Sequence, residues 1–154
     1  MDADTKDRIA KSLVGAGAPI VCFLAGRSAL RYATQMARDP LPRAGYAFGP
    51  DFGDHFARAI EENPAIHDGA VIVVRESGAR YAILGWSFRL FPPPADVFEA
   101  VNVGSAHNSC LHMSAVSGVD FVVKPTDVSA VLFEHGRART VEPDLEPAFG
   151  LGRR

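Results

Sequence analysis

The sequence predicts an α/β domain in which a central mixed β-sheet is flanked by helices, spanning residues 1–141, with a loosely held tail at 142–154. Short apolar runs bounded by Gly or Pro recur along the chain, and they are the length of strands. Helix-like and strand-like segments interleave in the first half, whereas strands cluster after residue 118, an order that favours a mixed sheet over a purely parallel one. The 154 residues are 47% hydrophobic and 22% charged, which is enough apolar surface to bury one core and too little charge for a disordered chain.

Asp4 or Thr5 can cap a first helix that presents Ile9, Leu13 and Val14 on one face and stops at Gly15-Ala16-Gly17. The run Ile20 to Ala25 is apolar throughout and lies between Pro19 and Gly26, as expected for a strand buried on both faces. Ser28 opens a second expected helix, to Arg38, closed by Asp39-Pro40 because a proline excludes helical geometry from the residue before it. A short strand is expected at Ala44 to Phe48. Phe52, Phe56, Ala59 and Ile60 then recur at helical spacing between an acidic start at Asp51 and a stop at Asn63-Pro64.

Ala70 to Val74 and Arg80 to Phe88, joined through Ser77-Gly78, form an expected hairpin. Pro92-Pro93-Pro94 is a stiff connector, with a short helix expected from Asp96. Gly104-Ser105 opens a helix to Ser117, with Ser105 as its cap and Gly118 as its stop. Val119 to Val123, Val128 to Phe133 and Arg137 to Val141 complete the chain as a meander of three strands.

Composition narrows the function classes. No apolar stretch approaches the roughly 20 residues that cross a bilayer, and the mixed-charge start at Met1 to Lys11 is unlike a secretory signal, so a cytoplasmic location and no membrane partner are expected. A formal charge of −2, with scattered Arg and Lys, gives no grip on a nucleic-acid polymer. Cys22 and Cys110, the two cysteines, provide no disulfide framework.

Three places could carry chemistry. Asp68-Gly69-Ala70 sets a carboxylate and a permissive glycine just before a buried strand, where the pair can serve a cation or a ribose or be an ordinary turn. Gly104-Ser105 sets backbone N–H groups and a hydroxyl at a helix start, which suits a phosphate and also suits simple capping. His107, Cys110 and His112 do not make a zinc site, because His112 points about 140° away from His107 at roughly 100° per residue. Cys110 and Met113 are expected in the core.

The segment Asn63-Pro64-Ala65-Ile66-His67-Asp68-Gly69-Ala70, following the helix at 52–62, resembles the Asp-Gly-Ala region of diadenylate cyclase (DAC, or DisA N-terminal) domains. Gly104-Ser105-Ala106-His107-Asn108 falls where that family carries Gly-Thr-Arg-His-Arg at a helix start. The resemblance covers about residues 51–141. It implies a mixed sheet flanked by helices and a small nucleotide-like ligand as partner. It also implies magnesium or manganese where a nucleotide is bound, and a homo-oligomer, since the family joins two ATP molecules into cyclic di-AMP across a dimer face.

Carried over by position, it assigns ligand binding to Asp68, Gly69, Ala70, Gly104, Ser105, His107 and Asn108. Asp68 is the implied metal ligand and, if the domain is active, the catalytic residue. Both motif arginines are replaced, by Ala106 and Asn108, and the family's Ser-Glu becomes Ser114-Ala115. Arginines that stabilise charge in phosphoryl transfer contribute rate factors of about 10³ or more, so the expected function is nucleotide binding or sensing without catalysis. The alternatives are an active cyclase with substituted phosphate ligands and a protein-interaction domain.

Overall fold

The computed structural model describes residues 1–78, 80–97 and 104–144. The expected helix from Asp96 and most of the tail from Glu142 lie outside the described residues. Among them the chain forms a seven-stranded mixed sheet with three α-helices, in the strand order β2 (Ala33–Gln35), β4 (Ala82–Leu90), β3 (Ala70–Val74), β1 (Val21–Leu24), β5 (Val119–Pro125), β6 (Ala130–Glu134), β7 (Arg137–Val141). Strands β1 (Val21–Leu24) and β3 (Ala70–Val74) run parallel at the centre, and every other pairing is antiparallel.

The central strands are buried on both sides, and alternate residues serve two cores. Val21, Phe23, Val71, Val73, Phe121 and Val123 face α1 (Ala3–Leu13) and α2 (Phe52–Glu62). Cys22, Leu24, Ile72, Val74 and Val122 face α3 (Ser105–Ser114) with Cys110, Leu111 and Met113. Helix α2 forms because Phe52, Phe56 and Ala59 share one face, all buried, and each buried Phe stabilises the packing by roughly 1.5–3 kcal/mol. The cap of α1 is Asp2, not Asp4 or Thr5: its carboxylate accepts from the Thr5 amide at 2.8 Å, two or three residues earlier than expected.

The expected helix at Ser28 to Arg38 is absent. A 3₁₀ turn (Ser28–Tyr32) leads instead into the three-residue strand β2 (Ala33–Gln35). The cause is β4 (Ala82–Leu90), a nine-residue strand whose outer edge needs partners for its backbone groups. Ala33, Thr34 and Gln35 pair there with Leu90, Arg89 and Phe88, and the Phe91 amide donates to the Tyr32 carbonyl.

The expected strand at Ala44 to Phe48 is reduced to one bridge, Ala47 with Ala82, and three backbone bonds to Tyr81 and Ile83 on the same edge. Between these two docking points the segment 36–45 is fastened along its length. Met36 N donates to Ser87 O, Asn63 Nδ2 to Pro40 O, Trp86 Nε1 to Arg43 O, and Gly45 N to Ile83 O.

Beyond the far end of β3, Arg75 donates two hydrogen bonds to Asp120 of β5 (Val119–Pro125), at 2.7 and 2.8 Å, and Tyr81 Oη donates a third at 2.5 Å. Burial opposes ionisation of the Asp120 carboxyl, but the bonds from Arg75 and Tyr81 outweigh it and hold the group below the usual Asp value. Burial and then the bond to Asp120 push the Tyr81 phenol up. Strands β6 (Ala130–Glu134) and β7 (Arg137–Val141) continue the sheet as a meander.

Candidate functional site

The turn that enters β3 is built around Gly69. Its φ is +91°, and a Cβ there would lie 2.6 Å from Met36 Cε and 2.8 Å from the Phe88 carbonyl oxygen, so only glycine fits. Opposite it, β4 carries one extra residue: Ile72 pairs with Gly85 and Ala70 with Phe88, two steps on one strand against three on the other. Ser87 lies in this bulge at φ 62°, buried, with its Oγ donating to Asp68 O at 2.7 Å and accepting from Arg38 Nε at 2.9 Å. Non-glycine residues rarely take that backbone conformation, and here three tethers, the third being Met36 N to Ser87 O, hold it.

Helix α3 begins close by. Gly104, at φ +85°, is the cap and Ser105 is the first helical residue, so the Ser105 hydroxyl is not the cap expected from the sequence. Ser105, Ala106 and Ser109 line one cavity with Asp68, Gly69 and Ala70, of about 380 Å³, within the roughly 300–1,000 Å³ of small-molecule pockets. His67, Met36, Phe88, Arg89 and Leu90 complete the walls, with Pro19 and Ile20 below β1. A larger groove of about 630 Å³ runs past Met1, Ile9 and Phe48, but none of the motif residues borders it.

Four of the seven expected ligand residues, Asp68, Gly69, Ala70 and Ser105, therefore share a cavity. Gly104, His107 and Asn108 do not line it. Helical periodicity explains the division, because Ser105, Ala106 and Ser109 fall within roughly 100° of arc while His107 projects to the other side. Its ring meets Phe133 of β6 edge-on at 4.8 Å. Cys110 is fully buried and its thiol is pushed up to about 12 by that burial, which removes it as a nucleophile. His112 Nδ1 accepts from the Ala95 amide at 3.1 Å.

No family model and no curated protein matches the chain. Solved structures do. A hypothetical membrane spanning protein from Bacillus cereus aligns at a TM-score of 0.58 and 13% identity, covering 90% of this chain and 61% of that one. DacA from Staphylococcus aureus, solved as a double mutant, aligns at 0.51 and 16% identity over 90% of this chain and 84% of that one. The likeness is one of fold. This chain thus spans less than two thirds of the B. cereus protein, and no helix among its described residues is long and apolar enough to cross a membrane.

The polar groups of the cavity were only partly legible in the sequence. Arg89 stands exposed on the β4 wall and makes no ion pair among the described residues. Arg38 Nη2 lies 3.5 Å from Asp68 Oδ2, with the arginine side chain largely buried and the carboxylate 69% exposed. His67 Nδ1 is 2.6 Å from the Pro64 carbonyl, which can only accept, so Nδ1 carries the proton and Nε2 is left as an acceptor in the neutral ring. The strand and loop residues Met36, Arg38 and Arg89 lacked any local motif; only the pairing of β2 with β4 brings them here.

A divalent ion of the kind the resemblance implies is a poor match to these donors. Among the described residues Asp68 supplies the one carboxylate of the cavity, it already faces a guanidinium, and no group of three metal-ligating side chains occurs.

Proposed function

We propose that this domain binds a small nucleotide-like anion between the Gly69 turn and the first turn of α3, as a binding or sensing module without cyclase chemistry. The observation that carries the reading is the convergence of Asp68, Gly69 and Ala70 with Ser105 on one cavity, from segments more than thirty residues apart. Phe88, Leu90, Met36 and Ile20 offer apolar surface to a flat ring. Ser105, Ser109, Arg89 and the first backbone N–H groups of α3, which have no acceptor within the helix, suit phosphate oxygens.

Catalysis is a different demand. At the helix start, where the resembled family carries an arginine, Ala106 presents only a methyl group to the cavity. A site can hold a phosphate through hydroxyls and N–H donors, but in-line transfer needs charge stabilisation fixed on the reacting group itself.

The test is thermal unfolding with AMP, ADP, ATP and cyclic di-AMP at millimolar concentration, joined to a product assay with ATP and manganese. A ligand at about 100 times its Kd adds roughly 2.7 kcal/mol, a rise in Tm of several degrees for a domain of this size. Ala106→Trp, which fills the cavity, and Arg89→Ala should reduce that rise, and no cyclic dinucleotide should form. An unchanged Tm across all four nucleotides overturns the binding reading, and turnover of ATP to a cyclic product overturns the absence of catalysis.

A further inference from the structure

We infer that this cavity takes its phosphate-bearing ligand without a divalent metal, because Arg38 serves as the fixed cation of Asp68. The inference rests on the nucleotide reading above and adds how charge is balanced there. The resembled family implies a metal at the position of Asp68, and in this chain the place beside that carboxylate belongs to a guanidinium, with Nη2 3.5 Å from Oδ2. A second positive ion brought to the same oxygen would meet repulsion from the first.

Arg38 is not a side chain free to swing away. Its Nε donates to Ser87 Oγ at 2.9 Å, and that hydroxyl is itself buried and committed to the Asp68 carbonyl. Its side chain is 18% exposed, and the neighbouring Met36 amide bonds the Ser87 carbonyl. The cation is therefore preorganised by the same bulge that shapes the cavity wall, at no cost in ordering when a ligand arrives.

The balance of charge then favours an anion directly. Among the described residues one carboxylate, Asp68, stands against two guanidiniums, Arg38 behind it and Arg89 on the wall. With Arg38 already beside Asp68, Arg89 and the α3 donors are left to meet phosphate oxygens. Here Asp68 is the counter-charge of Arg38 and not a metal ligand.

Isothermal titration with ATP in EDTA and again in manganese tests this on the intact chain. The wild type should bind ATP with the same affinity in both buffers, within about twofold. Arg38→Gln should lose on the order of tenfold in EDTA and regain it in manganese, since removal of the guanidinium opens Asp68 to the ion; Arg38→Lys, which keeps the charge but cannot bond Ser87 and face Asp68 at once, should fall between the two. Asp68 is exposed, so Asp68→Asn tests the idea without threatening the fold: it should bind ATP in EDTA at least as tightly as wild type. Wild-type binding that requires manganese, or loss of binding in Asp68→Asn, overturns the inference while leaving the nucleotide reading in place. Silence of the wild type in both buffers and across the four nucleotides overturns the two together.

Discussion

Strand β3 has an Arg–Asp pair beyond each end, and the two pairs are built to different standards. Arg75 grips Asp120 with two short bonds, Tyr81 adds a third, and the carboxylate is 16% exposed. Arg38 meets Asp68 through one contact of 3.5 Å, and that carboxylate is 69% exposed. A bidentate, part-buried pair with a phenol on its third side ties β3, β4 and β5 together, whereas a loose pair at a cavity mouth contributes little to folding. The comparison teaches that the same two residue types act as a rivet at one end and as a charge-setting device at the other, and geometry alone separates them.

The largest effect should come from breaking the tight end. Asp120→Ala leaves the Arg75 guanidinium without its partner and should cost about 3 kcal/mol, a fall in Tm of roughly 10 °C by calorimetry. The same carboxyl gives a pH signature. Its folded pKa lies below the unfolded value of about 3.9, so its stabilisation is complete above that value and disappears as pH falls through the folded one. The stability gap between wild type and Asp120→Asn should thus be constant from about pH 5 to 7 and narrow below about pH 4; a gap still undiminished near pH 2 would break the assignment.

A smaller effect is expected from Tyr81→Phe, which removes one hydrogen bond to a charged acceptor and should cost about 1–2 kcal/mol in urea unfolding at unchanged m-value. The smallest belongs to the loose end. Asp68→Asn should change unfolding free energy by less than about 0.5 kcal/mol, and a loss as great as that of Asp120→Ala would erase the distinction between the two pairs.

Much of the frame was legible in the sequence. The continuous apolar runs gave β1 and β3, the spacing of Phe52, Phe56 and Ala59 gave α2, and the Gly and Pro punctuation after residue 118 gave the closing meander. The stretch 28–38 misled because Ser28 followed by Ala, Leu and Arg satisfies helix rules locally, while the demand that decides it, an unpaired edge on β4, is set by residues more than fifty positions away. Boundaries moved for similar reasons. Strand β5 runs on to Pro125 and β6 starts only at Ala130, since Thr126 takes its hydrogen bonds within a turn to Ser129 and leaves Val128 exposed.

The candidate site was half legible. The Asp68-Gly69-Ala70 turn and Ser105 follow from local pattern and resemblance, and both border the cavity. His107 lies off the cavity because its place on the helix turns its ring to Phe133, which a motif read in sequence does not reveal; Arg38 and Arg89 were invisible because neither belongs to a motif.

The segment 36–45 is irregular in backbone, yet both its ends and two points between them are pinned to β4 or to the residue after α2. It works as a clasp. A coil secured in this way moves with the strand that holds it, so any shift of the bulge at Ser87 carries the guanidinium of Arg38 along with the wall. The cation and the surface it serves form one mechanical piece, and the geometry of the pair survives small breathing motions that would scatter the tip of an untethered loop.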